Sequence, residues 1–122
     1  MIVGFAVANE RITENLVRDT LRVLGYGTVS NETIVEEQKS QIAEVNKMLR
    51  GASKTGGKGM GAPEFIVSSF SAPDFLIIFE CKALTKQHES PMRNRPVEFA
   101  VDGVLHYAKA LSKSFNVIAV AA

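Results

Sequence analysis

The sequence predicts an α/β domain in which a mixed sheet, containing one antiparallel hairpin, is flanked by helices. Two short apolar runs, residues 64–70 (EFIVSSF) and 74–82 (DFLIIFECK), are separated only by Ser71-Ala72-Pro73, the punctuation of a hairpin turn. An apolar stripe at helical spacing follows (Val97, Val101, Val104, Leu105, Ala108, Leu111), and then NVIAVAA, a run typical of a strand buried in a parallel pair. Strand, helix, strand in that order returns the chain to the same sheet through a crossover.

The elements read as follows. Residues 1–8 (MIVGFAVA) form a short strand or a packed arm. Thr13 is the expected N-cap of a first helix, with Ile12 and Val17 as a hydrophobic staple and Leu16, Thr20, Leu21 and Leu24 at helical spacing; Gly25 ends it. A more polar second helix is expected over residues 32–50, its partial apolar face made by Ile34, Ile42, Val45 and Leu49. Residues 51–63 (GASKTGGKGMGAP) have the composition of a flexible loop and lack the spacing of a phosphate-binding Walker loop. The hairpin comes next, then a polar loop over 84–95, and a helix opened by Pro96.

At 122 residues the chain fits one domain, 1–122, and its abrupt end in a strand leads us to expect the N-terminal fragment of a longer protein. The net charge of +1 announces no strong global field. Cys81 is the single cysteine, so no intrachain disulfide can form, and a reducing, cytoplasmic location is expected. No stretch approaches the roughly 20 apolar residues that span a bilayer, so no membrane partner is expected.

The chemistry lies at the far end of the second hairpin strand. Side chains alternate along a strand, so Glu80 and Lys82 share one face, while Cys81 joins Phe75, Ile77 and Phe79 on the other, expected to face the core. Asp74 is six residues upstream of Glu80, roughly 20 Å away, too far to share an ion with it. A turn centred on Ala72 pairs residues whose numbers sum to 144, which sets Glu64 opposite Glu80 with Cβ atoms about 4.5–5.5 Å apart. Two opposed carboxylates destabilise a sheet unless a divalent cation or a nearby lysine neutralises them. A one-residue slip would send Glu64 to the other face.

Pro63-Glu64 on one strand and Glu80-Cys81-Lys82 on the next resemble the PD-(D/E)xK nuclease superfamily. Over roughly residues 10–122 the chain is similar to the N-terminal nuclease domains of type I restriction R subunits and type IIG restriction–modification enzymes. The resemblance implies a restriction-endonuclease-like core and a bacterial, Mg²⁺-dependent DNA endonuclease, with Mn²⁺ as a substitute. It assigns Glu64, Glu80 and the Cys81 backbone carbonyl to the metal, Lys82 to the attacking water, and Glu14 to completion of the metal site from the first helix. It implies double-stranded DNA as partner, with methylase, specificity or helicase domains or subunits of a restriction system. Two departures stand out. Glu64 replaces the usual aspartate, and Gly103 occupies the position four before Tyr107 where the family commonly has glutamine.

Other readings stay beside these. Glu14 also lies where a helix N-terminus favours any acid. Lys54 and Lys58 in the glycine loop, and Arg93 and Arg95, are candidate contacts to DNA phosphate or else solvated charges. Tyr107 is expected near the sheet with its hydroxyl toward the site, Asp74 in the turn, and Cys81 as a small buried hydrophobe. A non-catalytic nucleic-acid-binding module, or a repair or junction-resolving nuclease, would share the same fold.

Overall fold

The computed structural model describes residues 9–28, 32–52 and 61–122. Residues 1–8, Lys54 and Lys58 lie outside them. The order is α1 (Glu10–Val23), β1 (Thr33–Glu36), α2 (Ala43–Arg50), β2 (Phe65–Ser69), β3 (Phe75–Glu80), a 3₁₀ turn (Thr85–Gln87), α3 (Ala100–Leu111) and β4 (Asn116–Ala121). The four strands form one mixed sheet in the order β1-β2-β3-β4. β1, β2 and β3 are antiparallel neighbours, and β4 pairs parallel to β3 after the α3 crossover.

The hairpin register is the one the turn predicts. Phe65 faces Phe79 and Ile66 faces Ile78. Beyond the paired strand, the Glu64 N–H still donates to the Phe79 carbonyl at 2.8 Å, which holds Glu64 beside the end of β3. Asp74 sits in the turn, where its carbonyl accepts from the Asn116 N–H at 2.7 Å and starts β4.

Three expectations are corrected. The second helix does not begin at residue 32: Thr33–Glu36 is a strand, β1, and α2 starts at Ala43. The β-branched run Thr33-Ile34-Val35 suits a pleated surface better than a helix, and Gln38, with φ of 65°, breaks any helix there. Helix α1 begins before Thr13, because Asn9 Oδ1 caps the Arg11 N–H, so Ile12 and Val17 form no staple about Thr13. Helix α3 begins at Ala100 rather than Pro96, because the Arg95 N–H is bound by Asp102 Oδ2 at 2.8 Å, holding the residues before the helix as a loop.

Gly25 does end α1, with φ of 90°. The Tyr26 N–H reaches Leu21 O and the Gly25 N–H reaches Arg22 O, both at 3.0 Å, which is a Schellman cap.

The sheet is covered on both faces. On one, Ile66, Leu76 and Ile78 pack against Val45 and Leu49 of α2 and Val104, Tyr107 and Leu111 of α3. On the other, α1 places Leu21 over Phe65, Val67 and Cys81, with Ile77 and Phe79 partly covered. The larger core is therefore on the Leu76–Ile78–Glu80 face, not on the Phe75–Cys81 face that the alternation first suggests. Two helices close the former, and α1 alone covers the latter. Each fully buried Leu or Ile on the larger face contributes about 1.5–3 kcal/mol of transfer free energy. Glu80 is the last residue of β3 on that face and is only 1% exposed.

Candidate functional site

The carboxyl ends of β3 and β4 gather the charged residues. The chain pins this end with backbone bonds: the Ala122 N–H donates to Glu80 O at 2.8 Å, and the Lys82 N–H donates to Ala122 O at 3.0 Å. Helix α1 is tied to the same point, since Thr13 Oγ1 donates to the Lys82 carbonyl at 2.9 Å. Thr13 is thus a clasp between α1 and β3 rather than a cap. This clasp brings the first turns of α1, with Glu10 and Glu14, over the strand ends.

Carboxylate oxygens of Glu10, Glu14 and Glu64 all lie within 4.8 Å of one another. Glu64 is half-buried and titrates above the usual glutamate range. Burial is the main cause, and the charges of Glu14, Glu80 and Glu10 push the same way, while a hydrogen bond from Gln38 opposes them. That bond runs from Gln38 Nε2 to Glu64 Oε2 at 3.1 Å. Glu64 and Glu80 line one cavity of about 420 Å³ with Gln38, Lys39 and Tyr107.

Glu80 is held differently from Glu64. Its Oε2 rests over the first turns of α3, where a Cβ added to Gly103 would lie 2.7 Å from it and 2.9 Å from the Pro96 carbonyl oxygen. The glycine four residues before Tyr107 therefore leaves the space the carboxylate occupies. A helix N-terminus is also a favourable place for an anion. Tyr107 is 1% exposed, and burial pushes its hydroxyl well above the usual tyrosine range, with Glu80 and then Glu64 adding to the shift against a backbone hydrogen bond with Ala62.

Lys82 Nζ donates to the Val97 carbonyl at 2.8 Å and lies 3.5 Å from Glu10 Oε1. A second cavity of about 430 Å³, bordered by Thr13, Lys82, Leu84 and His88, adjoins the lysine. Cys81 is 0% exposed; burial foremost, and then the surrounding carboxylates, push its thiol up to about 12. It packs as a small hydrophobe.

The structure thus brings together Glu14, Glu64, Glu80 and Lys82 of the expected set. Within the set, Glu64 joins Glu10 and Glu14 most closely, and Glu80 approaches from the α3 side. Arg93 and Arg95 lie in the loop that reaches the site through Pro96 and Val97. Arg93 is paired with Glu89, while Arg95 is paired with Glu98 and lies over the Phe99 ring. His106 takes no part: Nε2 is 2.7 Å from the Ala52 carbonyl, and since a carbonyl only accepts, that nitrogen carries the proton.

Sequence reasoning missed Glu10, Gln38 and Lys39. Glu10 is one helical turn before Glu14, a relation that becomes visible once α1 is known to start at Glu10 under the Asn9 cap. Gln38 and Lys39 were hidden inside the helix wrongly drawn over 32–50. No family model, no curated protein and no solved structure matches the chain. Among the described residues no helix is long and apolar enough to cross a membrane.

Proposed function

We propose that this chain is a restriction-endonuclease-like domain that hydrolyses DNA phosphodiesters with Mg²⁺, as part of a bacterial restriction–modification enzyme acting in the cytoplasm. The observation that carries the reading is the convergence of four carboxylates and one lysine, from three separate chain segments, on one end of the sheet. The donor set suits a hard divalent cation, since oxygen ligands favour Mg²⁺ or Mn²⁺ over zinc. Glu10, Glu14 and Glu64 would hold it, with Glu80 approaching from the α3 side and the Cys81 carbonyl as the further ligand that the resemblance implies. When bound, such a cation polarises the scissile phosphate and lowers the pKa of a bound water.

The protein's own groups do the rest. The carboxylates repel one another around the half-buried Glu64, so the site is suited to receive positive charge. Lys82 Nζ, anchored by Val97 O beside Glu10, offers a positive donor where charge develops on the phosphate oxygens. Arg93, Arg95, Lys54 and Lys58 are the candidates for positioning the DNA backbone.

Plasmid cleavage with and without Mg²⁺ tests the reading. Glu64→Ala, Glu80→Ala and Lys82→Ala should each lose at least about 100-fold in rate, the scale on which removal of one electrostatic group in a site is felt. Cleavage by any of these variants at the wild-type rate would overturn the assignment. Calorimetry with Mn²⁺ separates the rival: a wild-type protein with no Glu64-dependent Mn²⁺ site, yet binding DNA, would be a non-catalytic module of the same fold.

A further inference from the structure

Gln38 has φ of 65° although it is not glycine. The Lys39 N–H donates to the Glu37 carbonyl at 2.8 Å across it, so residues 37–39 form a γ-turn of the strained hand. Such strain survives only where neighbours over-determine it, and it gathers at functional sites.

Here both sides of the turn are clamped. Glu37 accepts two hydrogen bonds from Arg18 of α1, at 2.9 and 2.6 Å. The Arg18 guanidinium lies 5.4 Å over the ring of Phe65, the residue after Glu64. On the other side, Glu36 accepts from Ser40 Oγ and the Gln41 N–H, each at 2.7 Å. Glycine would adopt this φ without steric cost. The chain instead places there a long amide whose Nε2 donates to Glu64 Oε2.

We propose that this γ-turn is a built part of the site, in which Gln38 is a positioning residue that fixes the Glu64 carboxylate beside Glu10 and Glu14. The inference rests on the nuclease reading in one respect only, that Glu64 ligates metal there. The amide N–H fixes one oxygen of the carboxylate against the repulsion of the acids that face it, Glu10 and Glu14 from α1 and Glu80 from β3. Carboxylate ligands of metals are commonly held by such a hydrogen bond from behind, so an oriented Glu64 is prepared for a cation. Lys39, the next residue, borders the same cavity.

The test uses Gln38→Gly, Gln38→Ala and Gln38→Asn, with three readouts. Gln38→Gly should melt about 2–5 °C above Gln38→Ala, because both lose the amide and only glycine releases the strain. In metal-free protein, the Glu64 side-chain signals followed by NMR should move toward rotamer-averaged positions in all three variants. Mn²⁺ affinity by calorimetry should fall about tenfold, the scale of one hydrogen bond to a charged group. Gln38→Asn, which tolerates the turn but is one methylene too short, should show the same changes in the Glu64 signals and in affinity. Unmoved Glu64 signals with unchanged Mn²⁺ affinity overturn the proposal and leave the turn a purely structural device. A Gln38→Gly protein that melts at or below Gln38→Ala overturns the claim of strain. If wild-type protein binds no Mn²⁺ while the Glu64 signals still move, the positioning role stands and the nuclease reading falls.

Discussion

Replacing Gly103 with alanine sets helix propensity against packing. The residue is the fourth of α3, and in a helix interior alanine is favoured over glycine by about 1 kcal/mol. On propensity alone the variant should be more stable. The structure predicts the opposite. The new Cβ would stand 2.7 Å from Glu80 Oε2, 2.9 Å from Pro96 O and 3.4 Å from Glu80 Cδ. Glu80 is 1% exposed, its carboxylate can yield only into the cavity it shares with the Glu64 carboxylate, and the Pro96 oxygen is backbone. Overpacking of this kind costs about 1–3 kcal/mol. With two oxygens displaced the upper part of that range applies, leaving a net loss of about 1–2 kcal/mol, or roughly 4–8 °C for a chain of this size. Calorimetric melting of Gly103→Ala measures it. Glu80→Asp withdraws the carboxylate by one methylene, so the double variant should recover about 1 kcal/mol relative to additivity. A Gly103→Ala protein melting at or above wild type would refute the view that Glu80 is seated by the missing side chain. Moving Pro96 also disturbs Val97, whose carbonyl anchors Lys82, so on the proposed nuclease reading cleavage should fall with stability.

Glu64→Gln should make the metal-free protein more stable near neutral pH. The folded-state pKa of Glu64 is raised, so the group's contribution is present below about pH 4.3 and is lost as pH rises through the folded value. Urea midpoints should favour the variant at about pH 8 and converge at about pH 4, and a variant weaker at both would contradict the assignment. Asp102, 2% exposed, is held below the usual carboxylate range: burial pushes it up, but hydrogen bonds from Ser90 and the Arg95 N–H outweigh that. Asp102→Ala should cost about 2–4 kcal/mol and speed amide exchange at Ser90 and Arg95. The stability Asp102 supplies is present above about pH 3.9 and is lost as pH falls through its lower folded value; a melting profile whose acid limb is the same with and without Asp102 would contradict this. Cys81 should resist Ellman's reagent in the native protein at about pH 8, and rapid labelling without unfolding would show that its surroundings are misread.

The hairpin was legible because its information is local. Three turn residues between two apolar runs fix the pairing, and the pairing fixes which residue faces Glu80. β4 and the crossover helix were legible for a similar reason, since a buried strand and an amphipathic stripe each carry their own period. β1 was not. Its four residues are bounded by glutamates that suit a helix equally well, and the strand exists because β2 offers it an edge, with Thr33 facing Ser69 and Glu36 facing Ile66. Losing β1 also lost the γ-turn that follows it. The site was legible as residue types on strands, while its α1 side depended on a tertiary contact, the Thr13 hydroxyl on the Lys82 carbonyl, which no spacing announces. The seat of Glu80 was equally hidden: Gly103 looked like a missing glutamine until its contacts were visible.

The connection between β2 and β3 lies at the opposite end of the sheet from the charged cluster and touches none of it. Its length nevertheless governs that cluster, because every pair along the hairpin inherits the offset set at the turn. Substitutions at Ser71 or Ala72 should therefore be silent, whereas one inserted or deleted residue there should disable the molecule while leaving every charged side chain in the sequence. In this chain the tolerance of a surface loop to change divides cleanly, with composition free to drift and residue count locked.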